Sequence, residues 1–305
     1  MRHLIYAAVL TAAGTAVCSA EERAFGALQA ALPPSAEIAA PAPGPADRSL
    51  NAGQLSELLR DPNPEVRKAA VKSARNHILN SYAGEPVLRL FADQNERADI
   101  RVEAARTLSY ASGYGRVQEA FTSLLRNQGE PRELRVMTYK ALYNAAAGNS
   151  RMQEFLLASV RQTEADREAR RAAVWALFAS AENNRAQELL LEVVTGGEEE
   201  ATRIEAVKSL YGAAGYPRVK RLFVELVKNG EEGKPVRLAA LKALSSTQDS
   251  SVQRLIEELS RSESDPELRA AAVAAAEPDQ AELREYFHLG YRLQNGGYVS
   301  PIEKE

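Results

Sequence analysis

The sequence predicts an all-α fold, a right-handed α-solenoid of about seven helix pairs. Three observations predict it. A phrase centred on arginine returns seven times, at Arg67, Arg101, Arg135, Arg170, Arg203, Arg237 and Arg269, with separations of 34, 34, 35, 33, 34 and 32 residues. Each phrase repeats apolar residues at helical spacing, and no strand-like alternation runs through the array. A fixed period in this range marks a stack of supersecondary units, each burying its apolar face against its neighbours.

The first helix of each unit follows from the residues after the arginine. Three positions on stand small residues such as Ala70, Ala104 and Thr138. Four on come Val71, Ala105, Tyr139, Val174, Val207, Leu241 and Val273; seven on come Ala74, Leu108, Leu142, Leu177, Leu210, Leu244 and Ala276. Steps of three, four and seven paint one face of a 3.6-residue helix. Six on, the residue is always Ser, Thr or Ala, which lets a neighbouring helix approach closely. Prolines and acids just before, as in "DPNPEVRKAA", suit a helix's first turn, where proline costs no internal donor.

Second helices start at Arg116, Arg151, Arg185, Arg218 and Ser251, with apolar residues one, four, five and eight positions on. Gly113, Gly148, Asn183 and Gly215 mark the turns inside the units. Gly129, Gly196 and Gly230 follow second helices and suit left-handed C-terminal caps. Leu55, Leu58 and Leu59 form a half-repeat cap at one end. Leu283, Phe287 and Tyr291 sit four apart and are expected to seal the last repeat.

The phrases "DPNPEVRKAA" and "DPELRAAAV" resemble the HEAT-repeat family, in a short form similar to the repeats of phycobilisome lyases, over residues 51 to 290. Tetratricopeptide repeats share the period, but their Trp, Leu-Gly and Tyr positions are missing here. The resemblance implies an acid six residues before each arginine, forming a ladder between units. Asp61, Glu164, Glu231 and Glu263 match; Asn95, Gly129 and Gly197 depart, which puts three steps of the ladder in question. It also implies that the seven arginines brace the framework and that second helices line a concave face.

The expected boundaries are a signal peptide at 1–20, a mature N-terminus and linker at 21–50, the HEAT-like array at 51–292 and a tail at 293–305. The start has a basic head, an apolar run from Leu4 to Val17 and small residues at Cys18 and Ala20, which reads as a secretory signal cleaved after Ala20. The run is short for a membrane-spanning helix, so no transmembrane anchor is expected in the mature chain. The expected location is periplasmic or secreted; the alternative is a lipoprotein anchored through Cys18, against which "TAV" is a poor lipobox by resemblance. Residues 33–50 hold five prolines and read as a stiff linker. Cys18 is the only cysteine, so a chain cleaved after Ala20 has neither disulfides nor thiol chemistry. Loss of Arg2 moves the formal charge from −3 to −4, which gives no footprint for general nucleic-acid binding.

Enzyme signatures are scarce. His77 and His288 stand at opposite ends of the array, so a shared histidine metal site is not expected, and no H-E-x-x-H, P-loop or G-x-S-x-G occurs. No catalytic residue, metal or cofactor is assigned. The expected function is an exported, non-catalytic protein-interaction scaffold whose partner, a protein, lies on the concave face. The alternative is an accessory or regulatory subunit of an envelope enzyme, or a binder of a small molecule or glycan. The candidate partner-binding residues lie on the second helices: Gln118, Gln153, Gln187, Lys220 and Gln253, beside Glu119, Glu154, Glu188, Arg221 and Arg254. This stripe changes from acidic to basic between the third and fourth of these helices. Charge complementarity of that kind sets register and encounter rate. The competing reading is local: Arg116–Glu119, Arg151–Glu154 and Arg185–Glu188 pairs within each helix. Tyr114 and Tyr216, each thirteen residues after its arginine, are candidate aromatic contacts at the rim.

Overall fold

The computed structural model describes residues 50–162, 166–247, 249–279, 283, 286–287, 291–292 and 298–299. All of these belong to one compact unit, Pro45–Arg292 with Tyr298–Glu305. The expected signal peptide, Cys18 and the linker lie outside the described residues.

The unit is an α-helical repeat stack. A short helix α1 (Ala52–Leu58) precedes six helix pairs. These are α2 (Pro64–Ser73) with α3 (Ser81–Ala92), and α4 (Ala98–Leu108) with α5 (Gly115–Arg126). Then come α6 (Arg132–Ala141), a single extra turn α7 (Tyr143–Gly148) and α8 (Ser150–Arg161). The remaining pairs are α9 (Arg167–Ala176) with α10 (Asn184–Thr195), α11 (Glu200–Ser209) with α12 (Pro217–Lys228), and α13 (Lys234–Ser245) with α14 (Ser250–Ser262). A seventh first helix, α15 (Pro266–Ala276), closes the described array. Past it, Tyr291–Arg292 and Tyr298–Val299 form a two-residue antiparallel pair.

Each boundary has a local cause. Asn63, Asn149, Asp166, Asn183, Asp249 and Asp265 accept bonds from the first free N–H groups of the helices they precede. Pro64, Pro217 and Pro266 open α2, α12 and α15. Second helices do not end on left-handed glycines. Asp93, Asn127, Gly196 and Asn229 are all extended, and no described glycine lies in the left-handed region. The chain instead turns through Asx motifs: Asp93, Asn127 and Asn229 side chains accept from the N–H two residues on.

The column of small residues six after the arginine does more than permit close approach. Thr107 Oγ1 donates to Val71 O at 3.2 Å and Ser209 Oγ to Val174 O at 3.0 Å, each tying a first helix to the one before it.

The C-terminal expectation needs correction. Leu283 and Phe287 are buried, but Phe287 stacks on Tyr211 and Tyr286 lies over Lys208 and Lys242. The segment thus folds back on the fifth and sixth first helices. The seventh is left partly uncovered: Val273, whose counterparts in the stack are buried, is 59% exposed. The side chain of Tyr291 lies outside the described residues.

Candidate partner-binding face

Every first helix up to α13 is tied to the next repeat by its arginine. Arg101 is fully engaged: Nε donates to Phe91 O at 2.9 Å, while Nη1 and Nη2 donate to the two Glu130 oxygens at 2.7 and 3.0 Å. The carbonyl ends the preceding second helix and the carboxylate sits in the turn to the next first helix. The same Nη1–Nη2 fork joins Arg170 to Glu198 and Arg203 to Glu232, and Arg67 holds both Glu96 oxygens through Nε and Nη2; single contacts join Arg135 to Asp166 and Arg237 to Glu263. The ladder is continuous, but its acids stand five residues before the next arginine at Glu96, Glu130, Glu198 and Glu232. The offset is four at Asp166 and six only at Glu263. Asp61 serves through its backbone carbonyl, and Glu164 lies outside the described residues. Among the described residues, no first helix follows that of Arg269, which is exposed and reaches only the Glu263 carbonyl. Hydrogen bonding to arginine is the largest influence on Glu96, Glu198 and Glu232 and holds their pKa values below the ordinary range, against an opposing effect of burial.

A second ladder runs along the N-termini of the second helices, joining the candidate residues Gln118, Gln153 and Lys220 to caps of which Asn149 and Asp249 were not anticipated from the sequence. Asn149 caps α8 with Oδ1 and donates Nδ2 to Gln118 Oε1 at 3.1 Å; Asn183 caps α10 and donates to Gln153 Oε1 at 3.2 Å. Gln118, Gln153 and Gln253 donate in turn to Ser112, Ala146 and Thr247 carbonyls at their own turns. Lys220 pairs with Asp249, the cap of α14, and contact with Lys220 is what chiefly depresses the Asp249 pKa. The signal for this ladder is a column of Asn or Asp two residues before each second-helix start. In that column stand Asn80, Tyr114, Asn149, Asn183, Tyr216 and Asp249.

The tyrosines interrupt it. Neither Tyr114 nor Tyr216 makes a side-chain cap bond, and the two residues are 57% and 43% exposed. Gln187, whose neighbour in the column is Tyr216, is buried with Nε2 lacking an acceptor.

Of the charged candidates, Glu154 and Glu188 are exposed but paired between repeats, with Arg185 and with Arg218. Glu85 and Arg116 continue this row. The expected pairs within helices, Arg116–Glu119, Arg151–Glu154 and Arg185–Glu188, do not form among the described residues; Arg116, Arg185 and Arg218 reach the preceding second helix instead. Among the described residues, Glu119 and Arg221 are exposed with no ion pair, and exposed Arg254 bonds only to Ser250 O in its own helix. Arg221 lines a groove of about 390 Å³ between α10 and α12, with Leu191 and Leu222 on its apolar side and Glu188, Glu192, Glu225 and Arg218 around it. Gln118 and Gln187 are buried, Gln153, Lys220 and Gln253 are half-buried, and Tyr114, Tyr216, Glu119, Arg221 and Arg254 remain at the surface.

Among the described residues, no group of three metal-ligating side chains could hold an ion, and no helix is long and apolar enough to cross a membrane. His77 ends a 3₁₀ turn, and His288 lies outside the described residues.

Residues 187–277 match the family described as HEAT repeats, and residues 53–73 the family described as HEAT repeat. The chain is similar, at 16% identity and a TM-score of 0.45, to the complex of CpcE and CpcF of phycocyanin lyase from Nostoc sp. PCC7120, over 83% of this chain and 98% of that one. It is similar to YibA of E. coli at 16% identity and a TM-score of 0.33, over 75% and 93% of the two chains. No curated protein matches it.

Proposed function

From a chain built of HEAT repeats, we propose an exported, non-catalytic scaffold that holds a protein partner along the N-terminal edge of its second helices. The observation that carries this reading is the pair of tyrosines in the capping column. Asn at that column caps its own helix and ties down the preceding glutamine. Tyr114 and Tyr216 do neither through a cap bond and present aromatic surface instead. A column whose capping rule gives way to an exposed aromatic side chain marks a functional position. Exposed tyrosine suits recognition, since it offers large amphipathic area and loses little conformational entropy on binding. The exposed charges on the same second helices and the next, Glu119 at one end and Arg221 and Arg254 at the other, which have no ion pair among the described residues, orient the partner.

The test uses the mature chain as bait for envelope proteins. Replacing both tyrosines (Y114N with Y216N) keeps the fold and reduces capture at least tenfold. Reversing Arg221 and Arg254 to Glu weakens capture more than reversing Glu119 and Glu154 to Lys, because Arg185 already engages Glu154. Capture that survives all three variants removes this face from consideration. Co-purification of a glycan or small molecule instead of a protein favours the accessory reading.

A further inference from the structure

The two ends of the stack carry complementary halves of one repeat junction. Among the described residues it begins on a second helix, α1, which packs on α3, and its last helix is a first helix, α15. The residue four after each of the first six arginines is at most 9% exposed, whereas Val273, four after the seventh, is open to solvent. The residue six after each of the last six arginines is buried. Ser73, six after the first, is exposed, and its hydroxyl has no hydrogen-bond partner among the described residues. These two columns meet inside the chain, where Thr107 donates to the Val71 carbonyl and Ser209 to the Val174 carbonyl. Ser73 and Val273 are the two loose ends of that row.

The arginine ladder is unfinished in the same places. Glu263, six residues before Arg269, gives its backbone carbonyl to Arg269 and its carboxylate to Arg237 of the preceding repeat. Asp61, six before Arg67, gives its carbonyl to Arg67 in the same way. Its carboxylate accepts the Asn63 N–H and meets no cation among the described residues. Arg269, at the other end, meets no carboxylate among them. Aspartate is long enough for a rung, since Asp166 serves Arg135. One half-rung therefore stands at each end, an acid at the first repeat and a base at the last.

We propose that copies of this chain associate head to tail, α15 of one copy docking on α2 of the next through the junction that joins the repeats. Arg269 takes the Asp61 carboxylate of the next copy. Ser73 of that copy donates to the Val273 carbonyl and covers its side chain. Its α1 completes a helix pair with α15. Neighbouring repeats in a solenoid stabilise each other through just such contacts. The two surfaces differ, so the interface is heterologous, and a pair of copies still offers a free surface at each end. The inference is independent of the partner read at the second-helix edge, which takes no part in the junction.

The test uses the full-length chain carrying Cys18→Ser. In sedimentation its average mass rises with concentration and passes that of a dimer; a chain that stays monomeric, or stops at a dimer, overturns the proposal. Arg269→Glu, at an exposed site, weakens association by about tenfold, and Asp61→Arg added to the same chain restores it. Association indifferent to Arg269→Glu, or not restored in a double variant with the wild-type helical signal, overturns it as well. A short thiol crosslinker then reads the register directly. A mixture of Ser73→Cys chains with Val273→Cys chains crosslinks faster than either variant alone. Equal rates in the mixture and in the separate variants show that the two ends do not meet, and overturn the proposal.

Discussion

Arg101 shows how much of this stack rests on one side chain. All three of its nitrogens donate at once, to a helix-end carbonyl and to both oxygens of Glu130, and both ionic partners are almost fully buried. Removing one member of such a pair strands the other charge away from water, a loss of about 3–5 kcal/mol. Arg101→Ala is therefore expected to lower the urea midpoint by a large part of the chain's stability. Arg269→Ala, at an exposed site without an acid, is expected to stay within about 0.5 kcal/mol. Lysine at 101 does not rescue, because it cannot reproduce the planar fork. Equal effects at 101 and 269 would show that the ladder braces nothing. The arginines were legible in the sequence because they recur; of their partners Glu263 stands where expected, Asp166 two residues from the expected Glu164, and the other four acids one residue from the expected position. Glu96, Glu130, Glu198 and Glu232 reach the guanidinium from five residues before the next arginine, where Asn95, Gly129 and Gly197 had suggested missing rungs. Register arguments locate backbones, and a glutamate side chain is long enough to absorb a one-residue step.

Single elements show where local chemistry overrode the periodic pattern. Helix existence and the buried face were readable from the spacing of Val71, Ala105, Val174 and Leu241, whose burial is nearly complete. Helix ends were less so: Gly129, Gly196 and Gly230 looked like left-handed caps, but Asp93, Asn127 and Asn229 make the turns through their own side chains. The capping column gives a prediction at this scale. Tyr216→Asn supplies a side-chain acceptor to the first turn of α12 and a donor within reach of Gln187, as Asn183 does for Gln153. A new N-cap is worth about 1 kcal/mol, so this variant is expected to unfold at a higher urea concentration than wild type. Gain of stability together with loss of capture is the pattern of a functional tyrosine. A Tyr216→Asn chain that is less stable would mean that the ring itself holds the fold.

Across the whole molecule, the sequence was least informative where distant segments meet. Nothing in the spacing of Leu283, Phe287 and Tyr291 says that the segment returns to α11 and α13; an amphipathic pattern names a buried face but not its partner. The ladder, by contrast, is a property of the stack and sets its response to acid. Glu96, Glu198 and Glu232 have folded pKa values below their unfolded ones, chiefly because arginine donates to the ionised form. Such a group contributes stability that is complete above the unfolded pKa, about 4.3 for glutamate. That contribution is lost as pH falls through the folded value. The melting temperature is therefore expected to hold steady from about pH 7 to pH 5 and to fall below about pH 4.3. Neighbouring repeats stabilise one another through their interfaces, so the losses at several rungs accumulate in one chain. Glu96→Gln with Glu232→Gln separates this cause from general acid expansion. The double variant is expected to melt lower than wild type at neutral pH, because two carboxylates no longer accept from Arg67 and Arg203. It should then lose less on acidification, since those rungs no longer titrate. A melting temperature that already declines between pH 7 and 6, or an acid slope unchanged by the two substitutions, would place the sensitive groups elsewhere.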